Sequence, residues 1–388
     1  LTSLSGEGRS SATTVLTLSA LRYMLGRETE LTEDAKKILG FTDNRQDASL
    51  QAGHFNDFIQ VLLLRSALLE AVKNAPEGYL TDSMLAQKVF EHLGFNTDDI
   101  HIRSEYLSQP DMKGPGRRRA EEAMRSVLGY RLYFDLRRGW RYNNPNLEQL
   151  DLLRIEYEGL AELCNDESVW QGIKFKALEN IKPDTRRTVL KMIMDVMRRG
   201  LCIKSRYLDS INQEQFKNQS FQQLKEPWGF SEEETLQEAC YLIPTSIPKL
   251  RKLSFLLVTA SSRSVLGLTL RKPSTWGDDA DIIGKINDAN YFDLIDSLLT
   301  GLLSYGLIEK VELENGMDTY QLIGEALQWI PGDGQYSTDP INQYSSDNEY
   351  FSNLYKAVGE MLSTGQNDLF SLEAREHTAQ ADVKEREE

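Results

Sequence analysis

The 388-residue chain has no Gly-x-x-x-x-Gly-Lys-[Ser/Thr] segment, so it lacks the loop whose amides cradle nucleotide phosphates. Cysteine is scarce. Cys164, Cys202 and Cys240 lie far apart with no histidine close by, which argues against a disulfide framework or a zinc site and points to buried free thiols in a reducing compartment. His54, His92, His101 and His377 are equally scattered, so no metal cluster is expected. No apolar run reaches the ~18 residues of a membrane helix, and the first residues lack the basic, apolar and small-residue order of a signal peptide. A Ser/His/Asp triad spacing or a carboxylate pair is also missing, which leaves a free-standing enzyme without support. The composition is that of a soluble, cytoplasmic globular protein of two or three domains, and its net charge of −15 argues against a general nucleic-acid coat.

What is present begins with Ile38-Leu39-Gly40-Phe41-Thr42-Asp43-Asn44-Arg45-Gln46, followed at once by a helix-forming stretch. A strand over Lys37 to Thr42, a sharp turn and a helix over Asn44 to Lys73 are predicted. Such a turn sits at the carboxyl end of a strand in an open parallel sheet, where ligands bind and helix amides favour phosphate. Asp43 is placed to cap the helix and Arg45 to reach a phosphate, with Thr42 and Gln46 as neutral hydrogen-bonding partners. The competing reading pairs Arg45 with Asp43 or Asp47 and makes the turn purely structural. Gly6-Glu7-Gly8-Arg9-Ser10-Ser11 has two glycines ahead of a predicted helix but no lysine; it reads as a weak phosphate loop or as a loop in which Ser10 or Ser11 caps the helix.

Positive charge is concentrated between Lys113 and Arg141. Arg117, Arg118, Arg119, Arg125, Arg131, Arg137, Arg138 and Arg141 are interleaved there with Tyr130, Tyr133, Phe134, Trp140 and Tyr142. Phosphates meeting arginine while bases stack on rings is how a nucleic-acid strand is held. The alternative is an Arg-rich helix paired with acidic surface, its aromatics in the core. A second basic set, Lys182, Arg186, Arg187, Lys191, Arg198, Arg199, Lys204 and Arg206, surrounds a helix from Thr185 to Arg199 whose methionines read as core.

The segment Phe41-Thr42-Asp43-Asn44-Arg45-Gln46-Asp47-Ala48 with its long helix resembles motif IV of superfamily 2 DNA helicases, closest to the large bacterial DEAD/DEAH-type helicases of phage-defence and repair systems. Arg375-Glu376-His377-Thr378-Ala379-Gln380, with the charged run Lys384 to Glu388, is similar to the segment that precedes motif V there, although the commoner wording is His-Gly-Ser. Gly139-Trp140-Arg141 with Asn146 to Gln149 is a softer likeness. The resemblance covers the two ends of the chain and makes the middle a large insertion. It implies nucleic-acid contact by Thr42, Asp43, Arg45 and Gln46, and by His377 and Thr378. It also implies that ATP and Mg²⁺ bind to other parts of such a protein, since the acidic Walker B tetrad and the arginine-finger motif are missing here. Leu1 in place of Met and the uncapped charged run at the end lead to the expectation of a piece of a longer polypeptide. The implied partners are DNA, single-stranded or duplex, the rest of the helicase, and other defence or repair proteins; no membrane is involved.

The expected fold is predominantly helical with small β elements, an α+β class: a partial RecA-like motor segment carrying a helical insertion with at least one winged helix. The predicted layout is residues 1–75 as the start of the second RecA-like domain, 76–230 as a basic helical insertion, 231–332 as a winged-helix domain, 333–349 as a linker and 350–388 as the return to the motor. Helices are predicted over Thr13 to Leu25, Asp82 to Gly94, Arg118 to Leu136, Asn146 to Cys164, Leu250 to Ala260, Tyr291 to Tyr305 and Tyr350 to Ser363. The winged unit rests on Ile282 to Ile286, on the Leu294, Ile295, Leu298, Leu302 and Leu303 stripe, and on two extended runs around Glu314-Asn315-Gly316. Its second helix carries Asp293 and Asp296 without a lysine or arginine, so base readout is not expected from it. This acidity supports an alternative in which the chain is a non-catalytic module that docks a partner protein through the winged helix.

Overall fold

The computed structural model describes residues 6–25, 32, 36–40, 45–137, 144–247, 256–313, 316–334, 341, 348–365, 369–370 and 372–375. In chain order the helices are α1 (Gly6–Leu25), α2 (Arg45–Lys73), α3 (Asp82–His92), α4 (Ile100–Tyr106), α5 (Gly114–Asp135), α6 (Leu160–Asn165), α7 (Glu167–Trp170), α8 (Pro183–Arg199), α9 (Ser210–Gln223), α10 (Val265–Leu270), α11 (Pro273–Trp276), α12 (Tyr291–Ser304) and α13 (Glu349–Ser363). The strands are β1 (Leu80–Thr81), β2 (Leu153–Tyr157), β3 (Ile203–Lys204), β4 (Tyr241–Ile243), β5 (Leu257–Thr259), β6 (Ile308–Glu312), β7 (Asp318–Ile323) and β8 (Leu327–Pro331). The class is α+β, mostly helical with two small sheets.

Helix α2 is the centre of the molecule. Between Phe55 and Val72 its apolar residues fall on nearly every side, and all are buried against α1, α3, α13 and β8. A helix apolar all round has to lie inside, and each fully buried Leu, Val or Phe contributes about 1.5–3 kcal/mol. One continuous core runs from Leu18 in α1 to Leu369 beyond α13.

Strand β8 lies between β1 and β2, antiparallel to both, with Ile155 opposite Trp329. Strand β7 is shared: it pairs antiparallel with β6 and β4 and parallel with β3, while β5 runs parallel to β4. Both sheets therefore draw strands from either side of residue 230. The β6–β7 hairpin forms in the predicted place, with Ile308 opposite Leu322 and Glu312 opposite Asp318. Helix α12 also matches its predicted position, while the short helix predicted over Ile282 to Ile286 is the end of a longer 3₁₀ segment, Gly277–Lys285, with Ile286 already extended.

Four predicted elements differ. Residues 146–164 are not one helix: they contain β2, whose alternating burial from Leu153 to Tyr157 answers to pairing with β8, and only the last residues become α6. Leu257–Thr259, expected in a helix, is strand β5, because β4 offers it a partner along its length. Residues 36–40 form no strand, since no neighbouring strand pairs with them among the described residues. The predicted Gly6 loop is instead the first turns of α1, so residues 10 and 11 lie within the helix and do not cap it.

Candidate nucleic-acid interface

The basic stretch expected to meet nucleic acid is the first half of α5, which opens with Gly114-Pro115-Gly116, proline occupying a first-turn position where no amide is needed. Arg117 is committed to the protein: it pairs with Asp98, donates to Glu121 Oε1 at 2.6 Å and to the Thr97 carbonyl at 3.1 Å. Arg118 and Arg119 are exposed, Arg119 Nε lying 3.4 Å from the Pro115 carbonyl. Further along, Arg125 pairs with Glu122 and Arg131 with Glu234. Arg137 is exposed, donates to Gln237 at 3.3 Å and stands over the Phe134 ring. Of the aromatics expected to stack on bases, Tyr130 and Tyr133 are buried and the half-buried Phe134 stacks on Tyr130 with centroids 5.8 Å apart, while Trp140 and Tyr142 lie outside the described residues.

The second basic set is likewise spent inside the protein. Lys182 meets Asp278, Arg187 and Lys191 meet Glu156, Lys204 meets Glu309 and Arg206 meets Glu122. Arg186 is buried beneath the Trp170 ring, its guanidinium bonded to Glu167 and to the carbonyls of Cys164, Leu178 and Glu179. Arg198 is fully buried between Glu148, Asp195 and the Tyr157 hydroxyl. Burial works against ionisation of Glu148, but the Arg198 and Arg199 guanidiniums outweigh it and hold its carboxyl down at about 2. A third buried arginine, Arg65 in α2, joins Asp135 at the end of α5, the carbonyls of Asn144 and Pro145, and the Tyr355 hydroxyl of α13. These three are structural hubs.

The methionines of α8, Met192, Met194 and Met197, are buried as expected, and the three cysteines are free and buried. Acidic groups of the hairpin region are also partly neutralised internally, Asp296 by Lys174 at 2.8 Å and Asp318 by Lys310 at 2.7 Å. Among the described residues no three His, Cys, Asp or Glu side chains are grouped to hold a metal ion, and no helix is long and apolar enough to cross a membrane.

Of the motif-like end segments, Thr42, Asp43, His377 and Thr378 lie outside the described residues, as do Arg138 and Arg141. Arg45 begins α2, its side chain also outside them, and Gln46 is exposed in the first turn. The two ends nevertheless meet. Asn56, three turns into α2, donates from Nδ2 to the Ala374 carbonyl at 3.1 Å and accepts the Ala374 amide on Oδ1 at 2.8 Å. The chain matches no protein-family model, no curated protein and no solved structure.

Sequence reasoning missed the three arginine hubs and the Asn56 clip. A signal for the hubs existed. Arg65 interrupts the apolar run Val61 to Leu69, and Arg186 shares a helical face with Leu190, Ile193 and Met197, positions where a charge is paired or absent. Asn56 carried no such mark, because its partner is 318 positions away.

Proposed function

We propose that this chain is part of an ATP-dependent superfamily 2 DNA helicase or translocase. In this reading its ends contribute to the second RecA-like motor domain and its middle is an insertion containing a winged helix. The observation that carries the reading is the paired hydrogen bond between Asn56 and Ala374. An insertion within one domain has to leave and re-enter at neighbouring points. Here the helix that follows the motif IV-like segment touches the residue that precedes Arg375-Glu376-His377, and α13 packs along the same helix. The winged-helix reading is supported by α12 followed directly by the β6–β7 hairpin.

The chain offers no phosphate loop, so ATP and Mg²⁺ belong to other parts of such an enzyme, and this chain is not a catalyst by itself. Its share is contact with DNA. Arg45 at the start of α2, with Thr42, Asp43 and Gln46, is the motif-derived contact. Arg118 and Arg119 are the exposed cations of the insertion, while Arg117 belongs to the fold. Arg45→Ala in the intact helicase is expected to raise the DNA concentration needed for half-maximal ATPase stimulation by about tenfold, the effect of losing one charge-assisted phosphate bond. Stimulation unchanged by the substitution removes the motif assignment.

A further inference from the structure

Beyond α13, described residues pack back onto the body. Leu369 is buried, and Phe370 sits against two rings, 5.4 Å from the Phe95 centroid and 6.1 Å from that of Trp228. Phe95 itself stacks on Tyr106 at 4.3 Å and meets Trp228 edge-on at 5.1 Å, so the three form an aromatic floor. Four residues after Phe370, the backbone of Ala374 accepts a hydrogen bond from Asn56 Nδ2 and donates one to Asn56 Oδ1. That pair is what a neighbouring β-strand supplies: one donor and one acceptor to the same residue's main chain, indifferent to its side chain. Between the anchors, Leu372 packs on the core while Glu373 and Arg375 are exposed and pair with each other.

The Leu372 amide closes a turn onto the Leu369 carbonyl at 3.4 Å, so the aromatic anchor is presented on a turn and followed by main-chain recognition at Ala374, a combination by which a groove can read a peptide. We propose that Phe95, Trp228 and Asn56 form a peptide-recognition groove that the chain's own residues 369–370 and 372–375 fill in cis. The competing occupant it fits is a protein segment with an aromatic residue on a turn, four positions before a residue that presents its backbone to Asn56. Withdrawal of Phe370 uncovers Phe95 and Trp228, which need another cover. The proposal does not depend on the helicase reading.

The test uses a fluorescein-labelled peptide, Asp-Leu-Phe-Ser-Leu-Glu-Ala-Arg-Glu, the sequence of residues 368–376, titrated into the full 388-residue chain by anisotropy. Because a cis occupant lowers apparent affinity by the fraction of open groove, Phe370→Ala in the protein should tighten peptide binding by about tenfold or more. Adding Asn56→Ala should abolish the gain, and a peptide with Ala in place of Phe should not bind. Equal binding to the unaltered and Phe370→Ala proteins overturns the proposal, as does a gain that survives Asn56→Ala. Absence of binding to a Phe370→Ala protein with an unchanged circular dichroism spectrum also overturns it. Hydrogen exchange of the unaltered protein provides a second reading that no substitution disturbs. The Ala374 amide should exchange at least about tenfold faster than the core amides of α2, reporting opening without unfolding; exchange of both at one common rate overturns the proposal.

Discussion

At the scale of single residues the fold is organised by the buried arginines Arg65, Arg186 and Arg198, each paired with a carboxylate. Removing one partner of such a pair leaves an uncompensated charge and costs about 3–5 kcal/mol, far more than the loss of an exposed pair. Arg198→Met is therefore expected to lower the unfolding free energy by about that amount in urea titrations, whereas Lys182→Met, whose pair with Asp278 is exposed, should change it by less than about 1 kcal/mol. Acid acts through the same group. The folded-state value of Glu148, about 2, lies below that of an unfolded glutamate, so its contribution is complete above the unfolded value and is lost as pH falls through the folded one. Stability should decline between roughly pH 4.5 and 2 by an amount on the order of 3 kcal/mol from this residue. Glu148→Gln should flatten that part of the curve; a decline identical in both proteins would assign the acid sensitivity elsewhere. Asp82 has the opposite sign, since burial raises its carboxyl despite the Tyr133 hydroxyl that donates to it, and its term weakens stability as pH rises past the ordinary aspartate range.

At the scale of elements, close approach decides where propensity misleads. Gly129 sits in the middle of α5, where alanine is normally better by about 0.5–1 kcal/mol. A Cβ there would run into the Tyr207 ring, itself buried against Tyr133 of α5 and Phe216 of α9. Overpacking of that kind costs about 1–3 kcal/mol or more, so Gly129→Ala should destabilise in thermal melts despite its helix propensity; a stabilised protein would show that the ring moves aside freely. The described residues beyond α13 are held by the buried Leu369, by Phe370, Leu372 and Ala374 packed on the core, and by two hydrogen bonds of about 1 kcal/mol each, against about 1–2 kcal/mol of backbone entropy for every ordered residue.

The same scale explains what the sequence revealed. Helices α3, α5, α8, α12 and α13 and the Asn-Gly hairpin were legible because their periodicity and turn chemistry are local. Residues 146–164 were not: Leu147, Leu150 and Leu153 recur at helical spacing, and only the distant β8 selects the competing alternation of Leu153, Ile155 and Tyr157. Strand β5 depends in the same way on β4. The candidate interface was half legible. Clustering of arginine was visible, but which guanidiniums are consumed by Asp98, Glu121, Glu122 and Glu234 depends on tertiary pairing.

For the whole molecule the question is how an acidic protein of net charge −15 would hold DNA. Most of the described cations of the two basic sets are tied to carboxylates of the same chain, which leaves Arg118 and Arg119 among the exposed cations of the first set. The proposed helicase reading therefore places DNA binding on a few exposed arginines rather than on a broad field. Each phosphate neutralised contributes about −0.9 to the slope of log affinity against log salt. The fluorescence anisotropy of labelled single-stranded and duplex DNA, titrated with this chain from low to physiological salt, tests the account most directly. The predicted result is salt-sensitive binding whose slope becomes shallower by about 2 in Arg118→Glu/Arg119→Glu, with Arg117 left in place to preserve its pairs with Asp98 and Glu121. No binding at low salt, or binding indifferent to that double substitution, would contradict it.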